Sequence, residues 1–285
     1  MKFINGFDFY DALLRILSQI PEKSKSTLRD IALSLGDVKA IPAIREALEK
    51  EEYRVFKGKI VEAGESKELF KGFKTDYPLK KLAALQEDMS RRVYETDCFE
   101  SSELIAGVDV SYRGDFAYAA SVVLDSRFEV LDKAVLETRV HFPYIPGYLA
   151  FREAEPIKAV LKPLQDFDIL IVNGHGVAHP RGFGLASHVG IELDKPTIGV
   201  AKRLLVGRRV SDNESAIEYR RRVIAASINR QGFKPIYVSV GNKISLESAL
   251  RIVKGALLTG LPEPLRISHH LAISLKRGES PPHPI

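Results

Sequence analysis

One cysteine, Cys98, is all that this 285-residue chain holds. Its solitude excludes an intrachain disulfide and any zinc site built on cysteine pairs. No apolar run approaches the roughly 20 residues that cross a bilayer. An acid, Asp8, falls where a secretory signal would need its apolar centre. The expectation is therefore a cytoplasmic protein with no membrane partner. Charge of one sign is scarce as well: the net charge of +5 is shared between the two halves of the chain and forms no basic arm. Such an excess permits a nucleic-acid partner without requiring one. Internal repeats and low-complexity tracts are absent too.

What is present is enough chain for two domains. Residues 1–75 read as short helices followed by a small basic hairpin. Apolar residues Phe9, Leu13, Leu14 and Leu17 recur at helical spacing over Phe9 to Ser18. Ser26-Thr27-Leu-Arg-Asp30 resembles a capping box with Asp in place of Glu, and Gly36 is placed to stop the helix it opens. A second helix is expected from Val38 to Lys50, with Pro42 tolerated in its first turn. Together these suggest a helix-turn-helix, with Arg54 to Val61 as a basic wing. The junction is expected at residues 64–78, and residues 76–285 form the second domain. There a helix from Pro78 to Tyr94 precedes strands at Leu104–Tyr112, Ala117–Leu124 and Val130–Val140. A helix at Tyr148–Leu161, strands at Ile169–Asn173, Lys195–Ala201 and Pro235–Val240, and two closing helices complete a mixed α/β sheet with flanking helices.

Three positions stand out. Asp109 lies inside a strand, since Val110-Ser111-Tyr112 continues it, and an acid there is costly to bury unless paired or metal-bound. Asn173 ends the apolar run Ile169-Leu-Ile-Val172, where a third acid would complete a site for a hard cation. Glu153, beside Arg152 and Glu155, reads by itself as a solvated helical charge. Its standing rises because Pro143-Tyr144-Ile145-Pro146-Gly147 comes directly before it. Two prolines stiffen that loop around a Tyr-Ile pair shaped like a wedge for a base stack; the plainer reading is a Pro-rich loop that packs Tyr144 inward.

The run Gly174-His175-Gly176-Val-Ala-His179-Pro-Arg181, followed by Gly182, Gly184, His188 and Gly190, permits close backbone approach to a ligand. The histidines do not share a helix face, which argues against zinc. Lys202 ends another apolar run and is a candidate phosphate partner. His269 and His270 sit on a late helix, where a histidine near a metal cluster can orient water.

Taken together, Ile105-Ala-Gly-Val-Asp109-Val-Ser111, Phe142-Pro-Tyr-Ile-Pro-Gly147, Ala150-Phe-Arg-Glu153, Gly174 to Arg181, Ala186-Ser-His188 and Pro196-Thr-Ile-Gly-Val-Ala-Lys202 resemble endonuclease V, over roughly residues 76–276. The resemblance implies a ribonuclease H-like fold and nicking of DNA on the 3′ side of deaminated bases, chiefly hypoxanthine, with Mg²⁺ or alternatively Mn²⁺; RNA is a second candidate partner. It implies Asp109 and Glu153 as metal ligands, Tyr144 as wedge tip, Lys202 near the phosphate and His269 near the metal. The family's third acidic ligand falls on Asn173, which implies weakened metal binding and slow cleavage with DNA binding kept. The rival reading is a non-cleaving lesion-binding protein. Asn173-Gly174 is a deamidation-prone pair, so aged protein is expected to regain acid and activity. Asn242 stands where the family resemblance leads one to expect histidine.

The N-terminal part is similar to the DNA-binding domain of O6-alkylguanine alkyltransferases, through Phe9-Tyr10-Asp-Ala-Leu-Leu, Ile20-Pro21-Glu-Lys23, Ser26-Thr27-Leu-Arg-Asp30-Ile-Ala32 and Ala43-Ile-Arg-Glu-Ala-Leu48. The Pro-Cys-His-Arg acceptor of that family is missing. Since a thiolate is the nucleophile in alkyl transfer, that reaction is not expected. The family's helix-turn-helix tyrosine appears as Leu28, and its intercalating arginine falls near Pro42.

Overall fold

A computed structural model describes residues 7–62, 69–210 and 213–279. The chain forms two compact units. One comprises the chain up to Leu85 together with His141–Arg152, and the other comprises Gln86–Val140 with Glu153–Ile285. This division differs from a boundary at residue 75, and residues 64–68 of the expected junction lie outside the described residues. The cause is packing: Leu79, Leu82, Phe142, Ile145 and Tyr148 all enter the helical core.

The helical unit follows local signals closely. Helix α1 (Phe9–Leu17) begins where the Asp8 carboxylate accepts from the Tyr10 and Asp11 amides. Phe9, Leu13, Ile16 and Leu17 face inward, while Leu14 is exposed and is not part of that face. Strand β1 (Ser26–Thr27) leads into α2 (Leu28–Leu35), capped by Thr27 Oγ1, which accepts from Asp30 N at 3.0 Å. Thr27 also donates to the Asp30 carboxylate at 2.7 Å, so the side chains close the box between themselves. Gly36 ends α2 with φ of +110°.

A 3₁₀ turn at Val38–Ala40 enters α3 (Ile41–Ala47). The expected basic wing is not formed. Glu51–Lys59 winds as 3₁₀ turns, and β2 (Ile60–Val61) pairs in parallel with β1. Buried Tyr53 holds the segment helical by donating its hydroxyl to Tyr10 O at 2.9 Å, and Lys59 Nζ donates to Ile20 O at 2.8 Å.

Helix α4 (Pro78–Ser90) carries the chain on. The second unit is built on a nine-stranded sheet: β3 (Ile105–Arg113), β4 (Phe116–Leu124), β5 (Val130–Arg139), β6 (Ile169–Asn173), β7 (Thr197–Ala201), β8 (Arg208–Val210), β9 (Asn213–Tyr219), β10 (Arg222–Ile228) and β11 (Ile236–Asn242). The order is β5-β4-β3-β6-β7-β11-β10-β9-β8. Strands β3, β6 and β7 run parallel at the centre, and the flanking pairs are antiparallel. Parallel strands covered on both faces read as continuous apolar runs, as β6 and β7 do. Helices α5 (Leu149–Leu161), α6 (Leu185–Leu193), α7 (Leu246–Gly255) and α8 (Glu263–Arg277) complete the chain. Among the described residues, no helix is long and apolar enough to cross a membrane.

Candidate active site

The site grows from the central strands. Asp109 is 6% exposed on β3, opposite Ala120 of β4. Asn173 is the last residue of β6, one step beyond the Val108–Val172 pairing. This stagger sets their side chains together, and Asn173 Nδ2 donates to Asp109 Oδ1 at 2.7 Å. The other carboxylate oxygen, Oδ2, is hydrogen-bonded to His269 Nδ1 at 2.6 Å.

His269 comes from α8, which lies against β3 because residue 107 is glycine. A Cβ there would stand 2.4 Å from the Pro264 carbonyl carbon. Asp109 is thus the shared partner of an amide and an imidazole that stand 64 and 160 residues away in the chain. Satisfying both oxygens offsets the cost of burying the carboxylate. His270 is exposed. Glu153 is buried, 8% exposed, within α5.

The Gly-rich segment is held by backbone hydrogen bonds. Gly174 N donates to both Val172 O and Val200 O at 2.9 Å. Gly176 N donates to Ser239 Oγ at 2.9 Å, and a Cβ at Gly176 would collide with Val240 O. Ser239, a buried hydroxyl in an apolar strand, is a site-shaping residue that the sequence reading passed over. Its signal was one polar residue between Val238 and Val240. Arg181 Nε donates to Gln86 Oε1, whose amide donates to Phe183 O, tying the loop to α4.

Burial pushes the His175 imidazole down to about 4, against a smaller upward effect of its hydrogen bond to the Arg203 backbone. Its Nδ1 is buried without a protein partner, so a neutral imidazole stands in the loop. His179 is buried, and its Nδ1 accepts from Arg181 N at 3.2 Å. His188 turns to Glu192 at 3.4 Å, and Lys158 lies 2.8 Å from that glutamate, which makes His188 part of a polar contact in the packing of α5 and α6. Asn242 accepts from Tyr94 N and donates to Gly190 O, a structural role.

Lys202 follows β7 and is exposed. Tyr144 is 60% exposed, whereas Ile145 is fully buried. Only the tyrosine projects, so the expected projecting Tyr-Ile pair is not formed: Ile145 packs inward as the base of the loop. Pro143 and Gly147 are buried and Pro146 is half-buried, and Gly147 takes φ of 86° at the end of the loop.

Among the described residues, no three His, Cys, Asp or Glu side chains gather as a metal site. Asp109 and His269 stand together, and Asn173, an amide, adds no third carboxylate to them. Asp109 and Glu153 are hard oxygen donors, and the Asn173 carbonyl oxygen is a neutral one. The donor set suits a hard divalent cation in kind, with one negative charge fewer than three carboxylates would supply.

A mixed sheet with parallel central strands, a buried strand acid and a histidine hydrogen-bonded to it suit a hydrolytic nuclease, the class that the similar proteins share. The family model of endonuclease V matches residues 87–270, and the chain belongs to the endonuclease V family. It is 42% identical over 204 residues to the endonuclease V of Ignicoccus hospitalis, covering 69% of this chain and 97% of that protein. It is also similar, at 32% identity over 307 residues, to a bifunctional methyltransferase/endonuclease of Picrophilus torridus, covering 96% of this chain and 99% of that protein. The solved endonuclease V of Ciona intestinalis, in complex with DNA containing inosine, matches with a TM-score of 0.63 at 28% identity, covering 72% of this chain and all of that one. The family is one of metal-dependent deaminated-base repair endonucleases that bind DNA.

Proposed function

We propose that this chain acts in the cytoplasm on DNA containing hypoxanthine and nicks the strand on the 3′ side of the lesion, with Mg²⁺, or Mn²⁺ in its place. The observation that carries this is the Asn173–Asp109–His269 cluster, where two hydrogen bonds orient one buried carboxylate. Asp109 and Glu153 would hold the cation, with the Asn173 carbonyl oxygen beside them. When bound, the cation would neutralise phosphate charge and favour hydroxide formation.

Each remaining residue has a role in this reading. His269 is oriented through Nδ1 by Asp109, which leaves Nε2 to order the attacking water. Lys202 meets the phosphate. Gly174, His175, Gly176 and His179 line the pocket for the extruded base, and the His175 acceptor suits a base edge that presents N–H. Tyr144 fills the gap left in the stack, where extrusion costs a few kcal/mol.

Asn173 removes one charge from the metal set, so cleavage is slow while lesion binding is retained. A non-cleaving lesion-binding protein is the second reading, favoured by that same amide. The N-terminal unit reads as an alkyltransferase-like DNA-binding module with no acceptor thiol, because the one cysteine is Cys98. The test is cleavage of a labelled inosine-containing duplex, and of the matching RNA, with Mg²⁺, for this chain beside Asn173→Asp. Faster cutting by the Asp form supports the assignment. Equal cutting by both removes Asn173 from the metal set, and no cutting by either leaves the lesion-binding reading.

A further inference from the structure

The segment His141–Arg152 belongs to one region by sequence and to another by packing. It lies inside the stretch that matches the endonuclease V family, residues 87–270. Its side chains, however, are built into the helical unit, most of which precedes that stretch. Phe142 sits 6.0 Å from Phe9 and 6.1 Å from Phe7, ring centre to ring centre. Ile145 and Tyr148 are at most 1% exposed within the same core as Leu13, Ile31, Leu35 and Ile44.

Polar contacts finish the seat. The Tyr148 hydroxyl donates to Asp37 Oδ2 at 2.9 Å, and Asp37 Oδ1 accepts from Lys39 N, fixing that carboxylate on its own turn. His141 lies 3.6 Å from Asp8, the N-cap of α1. Arg152 donates to Phe142 O at 2.6 Å and closes the segment on itself. From this seat Tyr144 stands 60% exposed. Endonuclease V of Ignicoccus hospitalis aligns over 97% of its own length with only 69% of this chain, so the helical unit is largely additional to what such a relative carries.

We propose that the N-terminal helical unit is a clamp for the wedge loop: it holds Tyr144 extended, and Asp37 and Phe9 are positioning residues for base extrusion. This rests on the reading of Tyr144 as the wedge. The physical case is preorganisation. A loop tip that inserts into a base stack loses little conformational entropy if its base is already fixed. Burial of Phe142, Ile145 and Tyr148 fixes it, each at a large apolar gain. The clamp matters only where a stack must be opened. It should act on duplex DNA and be silent on single strands, whose bases are already unstacked. A merely structural role for the unit would weaken both substrates alike.

The experiment measures affinity of the full chain for inosine-containing duplex and single-stranded DNA, with 2-aminopurine beside the lesion reporting unstacking. Tyr148→Phe removes only the hydroxyl. It should weaken duplex binding about tenfold, the scale of a hydrogen bond to a charged group, and lower the 2-aminopurine signal, with single-strand affinity unchanged. Asp37→Asn, made alone, keeps an acceptor oxygen for the Tyr148 hydroxyl and should retain most of the duplex affinity. Phe9→Leu should act as Tyr148→Phe does, with circular dichroism confirming that helix content is kept. In a Tyr144→Ala background Tyr148→Phe should add nothing, because the tip it positions is gone. Equal losses on both substrates, no loss on either, or additive effects with Tyr144→Ala would overturn the clamp. Absence of any inosine preference in the unaltered chain, on duplex and single strand alike, would instead sink the functional reading on which the clamp rests.

Discussion

The helical unit buries most of the segment 141–152 and leaves His141 and Tyr144 outside, whereas the sheet unit buries Asp109 and Glu153 and leaves His269 half-open. The first works by contrast: an apolar seat holds the loop, and Tyr144 stands out from it. The second makes a tool by compensation: Asp109 stays buried because Asn173 and His269 satisfy both its oxygens. One therefore depends on packing, and the other on polar geometry set by a strand register.

The largest expected effect strikes the sheet unit alone. Gly107→Ala puts a Cβ 2.4 Å from the Pro264 carbonyl carbon, and backbone cannot yield as a side-chain tip can. Overpacking of this kind costs about 3 kcal/mol and pushes α8, with His269, off Asp109. Thermal unfolding should show a lowered transition, and duplex nicking should fall with it, while the aromatic signals of the helical core remain native-like. An unchanged melting temperature would mean that α8 adapts freely, and the account of why His269 reaches Asp109 would be wrong.

The units should also part company with pH. His175, held down at about 4 by burial, is neutral in the fold. Above its ordinary value of 6.5 both states are neutral and nothing is lost. As pH falls below that, the unfolded chain binds a proton that the fold refuses, and stability drops by about 2 kcal/mol by roughly pH 5. Tyr53 has the opposite sensitivity, pushed up to about 12 chiefly by burial, with Glu52 adding to it. Its contribution is whole below its ordinary value of 10.0 and is lost as pH rises from there through the folded value. His175→Gln should flatten the acid limb of a denaturation series, and Tyr53→Phe the alkaline limb at a cost of about 1 kcal/mol. Limbs that respond to neither substitution would show that other groups govern them.

Much of the sheet unit was legible because its signals are local: the apolar runs of β6 and β7 end close to where the strands end, and Asp109 announced itself as an acid inside β3, which continues to Arg113. Its far edge was not legible. The β9–β10 hairpin turns at Arg220 and Arg221, with φ of 51° and 62°, where two-residue turns usually carry Asn or Gly; no residue marked the bend. Helix α6 was hidden among glycines whose role is close packing. In the helical unit, α1, α2 and the caps of α2 could be read directly. The wing was misjudged because Tyr53 recruits its segment to the core, a long-range contact that periodicity does not show. The same limit concealed the seat of the wedge loop: Phe142 and Tyr148 are apolar at the right places, but nothing local says that their partners lie more than a hundred residues earlier.

The smallest expected effect concerns the Asn173-Gly174 pair, which as a dipeptide invites deamidation. Ring closure needs the Gly174 nitrogen to approach the Asn173 side-chain carbon within near-attack distance, roughly 3–3.5 Å and aligned. In the fold that nitrogen already donates to Val172 O and Val200 O, both at 2.9 Å, and the Asn173 amide is held by Asp109. Attack would require breaking three hydrogen bonds at the centre of a nine-stranded sheet. The folded chain should therefore keep Asn173 on ageing, and fresh and aged preparations should nick equally slowly, against what the dipeptide alone suggests. Peptide mapping after prolonged incubation checks this directly, with a urea-unfolded sample as the reference that does deamidate. Conversion in the folded sample at the unfolded rate would mean that the end of β6 opens often, and an active site resting on the Asn173–Asp109 hydrogen bond would then be far less rigid than its geometry implies.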